Sequence, residues 1–295
     1  MIARSSRSAA AVVLAAAAVL TACSSPGKAK PVPASYYLAL GDSLSQGVQP
    51  DAAGASVETG QGYPDLVYAV LRRDRPGLEL VRLGCPGETT KTMLHGGICR
   101  YPQRSQLAAA VAFLRAHRDH TLLITIDIGA NDPQSCGSQP SLTKLASCIG
   151  EAPEAATNLA AILASLRAAG GPGVRIVGMS YYLPELAEWR HGWLGHAVAL
   201  VSERLAVTYN DLLNSAYAKA GVGVANVFAA FDTTDFGDQM TVPGVGTVPR
   251  NVALICKWTW ECAASPRGPN QHANPAGYQV IANQILKVAG LPADA

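Results

Sequence analysis

Tyr37-Leu38-Ala39-Leu40-Gly41-Asp42-Ser43-Leu44 is an apolar run that stops at a glycine and two small polar residues. A short unbroken apolar segment of this kind predicts a strand buried on both faces, as in a parallel sheet, with a tight turn at its carboxyl end. Runs of the same type recur at Glu79–Leu83, Leu122–Ile126, Val174–Met179 and Val222–Val227. Between them, apolar residues at helical spacing mark helices over Tyr63–Arg72, Gln106–Arg115, Ala155–Ala168 and about His196–Ala220. A last helix, Pro275–Val288, opens on a proline, which lacks only an N–H that the first turn leaves unpaired anyway. Strand and helix alternate, so the expected fold is α/β, a five-stranded parallel sheet between two helical layers. The sequence shows no internal repeat.

In that frame three polar segments follow strands. Gly41-Asp42-Ser43 follows the first, Gly87-Glu88-Thr89 the second and Gly129-Ala130-Asn131-Asp132 the third, so all three fall at the carboxyl edge, where α/β sheets bind ligands. A fourth segment, His272-Ala273-Asn274, precedes the last helix. Together they offer a hydroxyl nucleophile, a base and donors for a negatively charged oxygen. Taken singly each is ambiguous, since serine also caps helices and glycine and asparagine also punctuate turns.

The four segments in this order resemble the SGNH, or GDSL, hydrolase superfamily over residues 36 to 290. The resemblance implies a three-layer α/β/α sandwich with the sheet in flavodoxin-like order, and hydrolysis of esters, lipids and acylated sugars among them. Carried over residue by residue, Ser43 is the nucleophile and His272 the base. The backbone N–H groups of Ser43 and Gly87 and the amide of Asn131 form the oxyanion hole. Asp42 and Asp132 are read as structural acceptors, and His95, His117, His120, His191 and His196 as surface or packing residues. No cofactor is implied. One departure stands out: family members often carry an aspartate three residues before the histidine, and Pro269 holds that place. Asp127, Asp232 and Asp235 are candidates to orient His272 instead, as is a main-chain carbonyl from Cys256–Cys262. The reading favours a Ser43–His272 dyad with backbone support.

At the amino end Arg4 and Arg7 precede an apolar run, Ala9–Leu20, too short to span a membrane comfortably. This is the pattern of an export signal. Leu20-Thr21-Ala22-Cys23 resembles a bacterial lipobox, which implies cleavage before Cys23 and lipidation of that cysteine. The expected organisation is a signal at 1–22, a tether at 23–34 and a hydrolase domain at 35–295, exported and lipid-anchored to the outer face of the membrane. Removing 1–22 leaves 21 basic and 21 acidic residues, and a neutral chain without a basic stripe argues against a nucleic-acid partner.

With Cys23 assigned to lipid, Cys85, Cys99, Cys136, Cys148, Cys256 and Cys262 form an even set, compatible with an oxidising compartment. Sequence alone leaves the connectivity open; the favoured pairs are Cys85–Cys99, Cys136–Cys148 and Cys256–Cys262, each closing a short loop. A metal site is the weaker alternative, because no C-x-x-C pair occurs and His95 has no companions at ligand spacing. A composition 49% hydrophobic and 15% charged over 295 residues suits one cored domain, expected to be a monomer.

The expected reaction is hydrolysis of carboxylic esters, lipid or other acyl esters, with O-deacylation of envelope or extracellular polysaccharide as the alternative. A non-catalytic envelope-binding lipoprotein is the reading from another class. Aromatic residues at Tyr181, Tyr182, Trp189, Trp258 and Trp260 are expected to wall the pocket.

Overall fold

A computed structural model describes residues 35–133 and 152–291, together with Met1. Residues 2–34, which hold all but the first residue of the expected signal and tether with Cys23, and the cysteines of the expected pair Cys136–Cys148 lie outside the described residues.

The central sheet comprises β1 (Ser35–Gly41), β2 (Leu78–Arg82), β3 (Thr121–Asp127), β4 (Arg175–Met179) and β5 (Gly223–Ala225). All pairings are parallel and the order is β2-β1-β3-β4-β5, the flavodoxin-like order. The principal helices are α1 (Tyr63–Asp74), α2 (Thr90–His95), α3 (Gln106–Ala116), α4 (Ala152–Gly170), α5 (Gly192–Lys219), α6 (Arg250–Trp258) and α7 (Pro275–Val288). Helices α1 and α7 pack together on one side, while α3, α4 and α5 pack in sequence on the other, which makes three layers. All these elements belong to the unit Pro33–Ala295.

The apolar runs form strands because both faces are covered. Leu38, Leu40, Ile124 and Ile126 are buried, each worth roughly 1.5–3 kcal/mol of hydrophobic transfer. Helix starts follow local chemistry: Ser105 Oγ accepts from the N–H of Ala108 at α3, and Asn274 Oδ1 accepts from Gly277 at α7.

Some boundaries differ from the sequence reading. β5 is shorter than Val222–Val227, because the N–H of Val222 closes the end of α5 on Tyr217 O and Asn226 caps a one-turn helix, Val227–Ala230. Pro184–His191 forms a 3₁₀ helix leading into α5, and residues 239–249 form a hairpin, Gln239–Val242 with Gly246–Pro249. Disulfides join Cys85 to Cys99 and Cys256 to Cys262. Among the described residues no helix is long and apolar enough to cross a membrane.

Candidate active site

The turn after β1 is held by side chains from three other elements. Gln106, at the first position of α3, accepts from Gly41 N at 2.7 Å and donates to Gly41 O at 2.9 Å, so one buried amide satisfies both backbone groups at the strand end. The same amide donates to Glu88 Oε2 at 3.1 Å, tying the Gly87 loop to the strand. Asp127, at the end of β3, accepts from the N–H groups of Asp42 and Ser45 and from Tyr63 OH. Asp42 accepts from Leu44 N and Tyr181 OH, at 3.0 and 3.1 Å. Ser43 is thereby fixed, with its Oγ 3.0 Å from His272 Nε2.

His272 reaches this point from the loop before α7. Trp260 N donates to His272 O at 3.0 Å and Asn274 N to Trp258 O at 2.9 Å, so the end of α6 and the histidine loop pair as short antiparallel backbone. The other ring nitrogen, Nδ1, lies 2.8 Å from Asn270 Oδ1. This differs from the sequence expectation. The Cys256–Cys262 stretch supports the histidine through backbone pairing and supplies no carbonyl to the ring. Asp127 accepts from the Ser43 turn, Asp232 pairs with Arg250, and Asp235 accepts from the N–H groups of Gly237 and Asp238.

Ser43, Gly87, Asn131 and His272 line one cavity of about 290 Å³, with Val48, Ser56, Glu58, Pro86 and Gln271. Among the described residues, the backbone N–H groups of Ser43 and Gly87 donate to no protein acceptor. Two such donors beside a serine hydroxyl are the arrangement that holds a developing oxyanion. Asn131 donates from Nδ2 to Glu88 O at 3.0 Å. Asp132 accepts from Thr90 N and Thr90 OH, joining that loop to α2, as a structural acceptor should.

Among the described residues lining the cavity none is Phe, Tyr or Trp, so the expected aromatic wall is not found there. Tyr181 turns to Asp42 and Tyr182 donates to Gln271 O. Trp189 stacks on His196, Trp258 meets Phe231 edge-on, and Trp260 Nε1 donates to Gln49 Oε1. Val48, Ser56 and Glu58 come instead from the excursion after Ser43, whose polar, aperiodic sequence gives no sign of the role. Among the described residues no group of three or more His, Cys, Asp or Glu is placed to hold a metal ion.

Burial pushes the His272 imidazole down to about 4, so it is a neutral base at neutral pH. Burial also lifts Asp42 to about 6 and Asp127 well above the usual carboxylate range, the Asp42 charge adding to the rise at Asp127. A carboxyl raised in the folded state binds its proton more tightly there than in the unfolded chain. Its stabilisation is full below about 4 and is lost as pH rises through about 6. Asn at position 42 can accept from Leu44 N and donate to the oxygen of Tyr181, without titrating. The stability advantage of wild type over Asp42→Asn is therefore expected to shrink by on the order of 1–3 kcal/mol between pH 4 and pH 7. Urea unfolding of both proteins at the two pH values measures this, and the His272 contribution, which runs the other way, cancels in the difference. Parallel pH dependence would locate the proton elsewhere.

The sequence profile of the GDSL-like lipase/acylhydrolase family matches residues 39–280. No curated protein matches the chain. Among solved structures, phospholipase A1 from Streptomyces albidoflavus is 20% identical, with a TM-score of 0.51, covering 86% of this chain and 98% of its own. The extracellular lipase of Streptomyces rimosus is also 20% identical, with a TM-score of 0.48 over 68% of this chain and 82% of its own. The esterase EstA from Pseudoalteromonas is 16% identical, with a TM-score of 0.46 over 86% and 96%. At such identity the first of these likenesses speaks for the fold, in agreement with the parallel sheet and its order. With the profile matching most of the chain, the chain belongs to the GDSL-like lipase/acylhydrolase family.

Proposed function

We propose that this protein hydrolyses carboxylic esters through an acyl-Ser43 intermediate. The observation that carries the reading is the 3.0 Å contact between Ser43 Oγ and His272 Nε2 in a cavity lined also by Gly87, with the backbone N–H groups of Ser43 and Gly87 meeting no protein acceptor among the described residues. Ser43 Oγ attacks the ester carbonyl while His272 Nε2 takes the hydroxyl proton. The N–H groups of Ser43 and Gly87, with the amide of Asn131, hold the tetrahedral oxyanion, and His272 returns the proton to the leaving alcohol. Water, activated by the same imidazole, then releases the acid.

The test is reaction with a serine-directed phosphonate beside hydrolysis of p-nitrophenyl acetate. One equivalent of label, absent from Ser43→Ala, is the expected result. A folded protein that neither labels nor turns over would replace the enzyme by the envelope-binding reading.

A second substrate reading has its own observation. Ser56, Glu58 and Gln271 give much of the cavity wall a polar character, which suits a short acyl group on a carbohydrate better than a long chain. p-Nitrophenyl acetate turned over at least tenfold faster than the palmitate would favour it; the reverse order would favour lipid esters. We also propose export and anchoring through lipidated Cys23, on the basic, apolar and lipobox segments of the first 23 residues. Cys23→Ser is expected to release the protein from the membrane fraction.

A further inference from the structure

Asn270 makes three contacts that bear on the base. Its Oδ1 lies 3.0 Å from the backbone N of His272 and 2.8 Å from the same residue's Nδ1, while its Nδ2 lies 3.0 Å from Ser56 Oγ. A backbone N–H can only donate. The Asn270 atom beside it must therefore be the carbonyl oxygen, which settles which way the amide faces without reference to the imidazole. An oxygen that only accepts requires a proton on Nδ1. A neutral ring protonated there has a lone pair on Nε2, the nitrogen 3.0 Å from Ser43 Oγ.

We infer that Asn270, through its side-chain carbonyl, is the positioning residue that sets the tautomer and orientation of His272, in the role an acid fills in a serine–histidine–aspartate triad. This rests on the ester-hydrolase reading for its catalytic meaning, though not for the ring geometry. The distinction from an ordinary aspartate-to-asparagine exchange is physical. When such an exchange presents the amide nitrogen to the ring, the wrong tautomer results and turnover falls about 10⁴-fold. Here the backbone of His272 itself holds the amide in the productive sense, and Ser56, on the cavity rim, takes the amide N–H on the far side.

A neutral acceptor also differs from a carboxylate in what it does to the proton balance. It orients the ring without attracting positive charge to it. The charged groups on the elements around His272 are Glu58 beside the cavity, Asp42 and Asp127 at the turn after β1, Lys257 in the last turn of α6, Glu261 just beyond it and Arg267 on the histidine's own loop. None of them hydrogen-bonds the imidazole. Burial alone therefore governs the ring, pushing it down to about 4 and leaving the base active in mildly acidic solution. Asn270→Asp keeps the accepting oxygen and adds the missing charge.

Two measurements on the full, disulfide-intact chain decide it. Long-range ¹⁵N–¹H spectra of the His272 ring should show the Nδ1–H tautomer in wild type, and a titration midpoint that rises by about 1–3 pH units in Asn270→Asp. The acid limb of kcat/KM should rise by the same amount, with KM unchanged within twofold. Asn270→Ala should lower kcat by about a hundredfold, again with little change in KM. An Nε2–H tautomer in wild type, or an unmoved midpoint in folded Asn270→Asp, would overturn the inference. The spectra need no turnover. Failure of wild type to hydrolyse esters or bind phosphonate would sink the hydrolase reading, while the ring tautomer would still decide whether Asn270 orients His272.

Discussion

Ser43→Ala is expected to lower kcat for p-nitrophenyl acetate by about 10³- to 10⁶-fold while leaving the unfolding midpoint nearly unchanged. The first half follows from chemistry: without Oγ no acyl-enzyme forms, and only water held near the oxyanion donors can attack. The second half follows from the hydrogen bonds. Those that shape the turn come from Gln106, Asp127 and Asp42, and among the described residues the Ser43 hydroxyl bonds only His272. Removing it relieves the turn of nothing it needs. Adding His272→Ala to Ser43→Ala should cost little more, because the two side chains act as a unit. Initial rates of the single and double variants, beside unfolding curves, test both halves. Turnover within tenfold of wild type in Ser43→Ala would remove Ser43 from the chemistry.

The sheet was legible because its strands announce themselves. Tyr37–Leu40 is apolar at every position since both faces are covered, and strand order followed once the family pattern was recognised. That Ser43, Gly87, Asn131 and His272 come together at one cavity is legible for a related reason, because each lies in a short segment fixed relative to a strand end or a helix start, so local order sets its place. Asn270 was not. It stands two residues before the histidine, nearer than the aspartate position, and its orientation depends on Trp260 O, on Ser56 and on the backbone of His272. Contacts of that kind have no sequence period.

Gln106 shows the same limit from another side. As the first residue of an amphipathic helix it reads as solvent-facing, yet it is fully buried, where its amide pairs the N–H of Gly41 and shares Gly41 O with the N–H of Cys85. The aromatic residues failed for a third reason. The direction of a ring is decided by what its polar tip can reach, and Tyr181, Tyr182 and Trp260 turn to Asp42, Gln271 O and Gln49.

Gly41→Ala is expected to remove a large part of the protein's stability, whereas Gly87→Ala leaves a folded and measurable protein. Both glycines adopt backbone angles that L-residues rarely take, with φ of +131° and +82°. Conformation alone therefore costs each alanine variant about 1–3 kcal/mol. Space separates them. A Cβ on Gly87 meets no heavy atom within 4 Å, while one on Gly41 falls 2.0 Å from the backbone oxygen of Asp127 and 2.5 Å from its Oδ1. Neither neighbour can retreat. Gly41 and Asp127 are paired in register across β1 and β3, Asp127 O accepts from Asp42 N at 3.0 Å, and the carboxyl group holds the nucleophile turn. Relief requires parting two central strands, so the expected loss for Gly41→Ala exceeds about 4 kcal/mol, a large part of a domain's whole stability. Denaturant unfolding, or the yield of soluble protein where no transition can be recorded, measures it. A Gly41→Ala protein within 1 kcal/mol of wild type, on the scale where 5–15 is typical, would mean that the strand end and Asp127 do not meet as closely as the register requires.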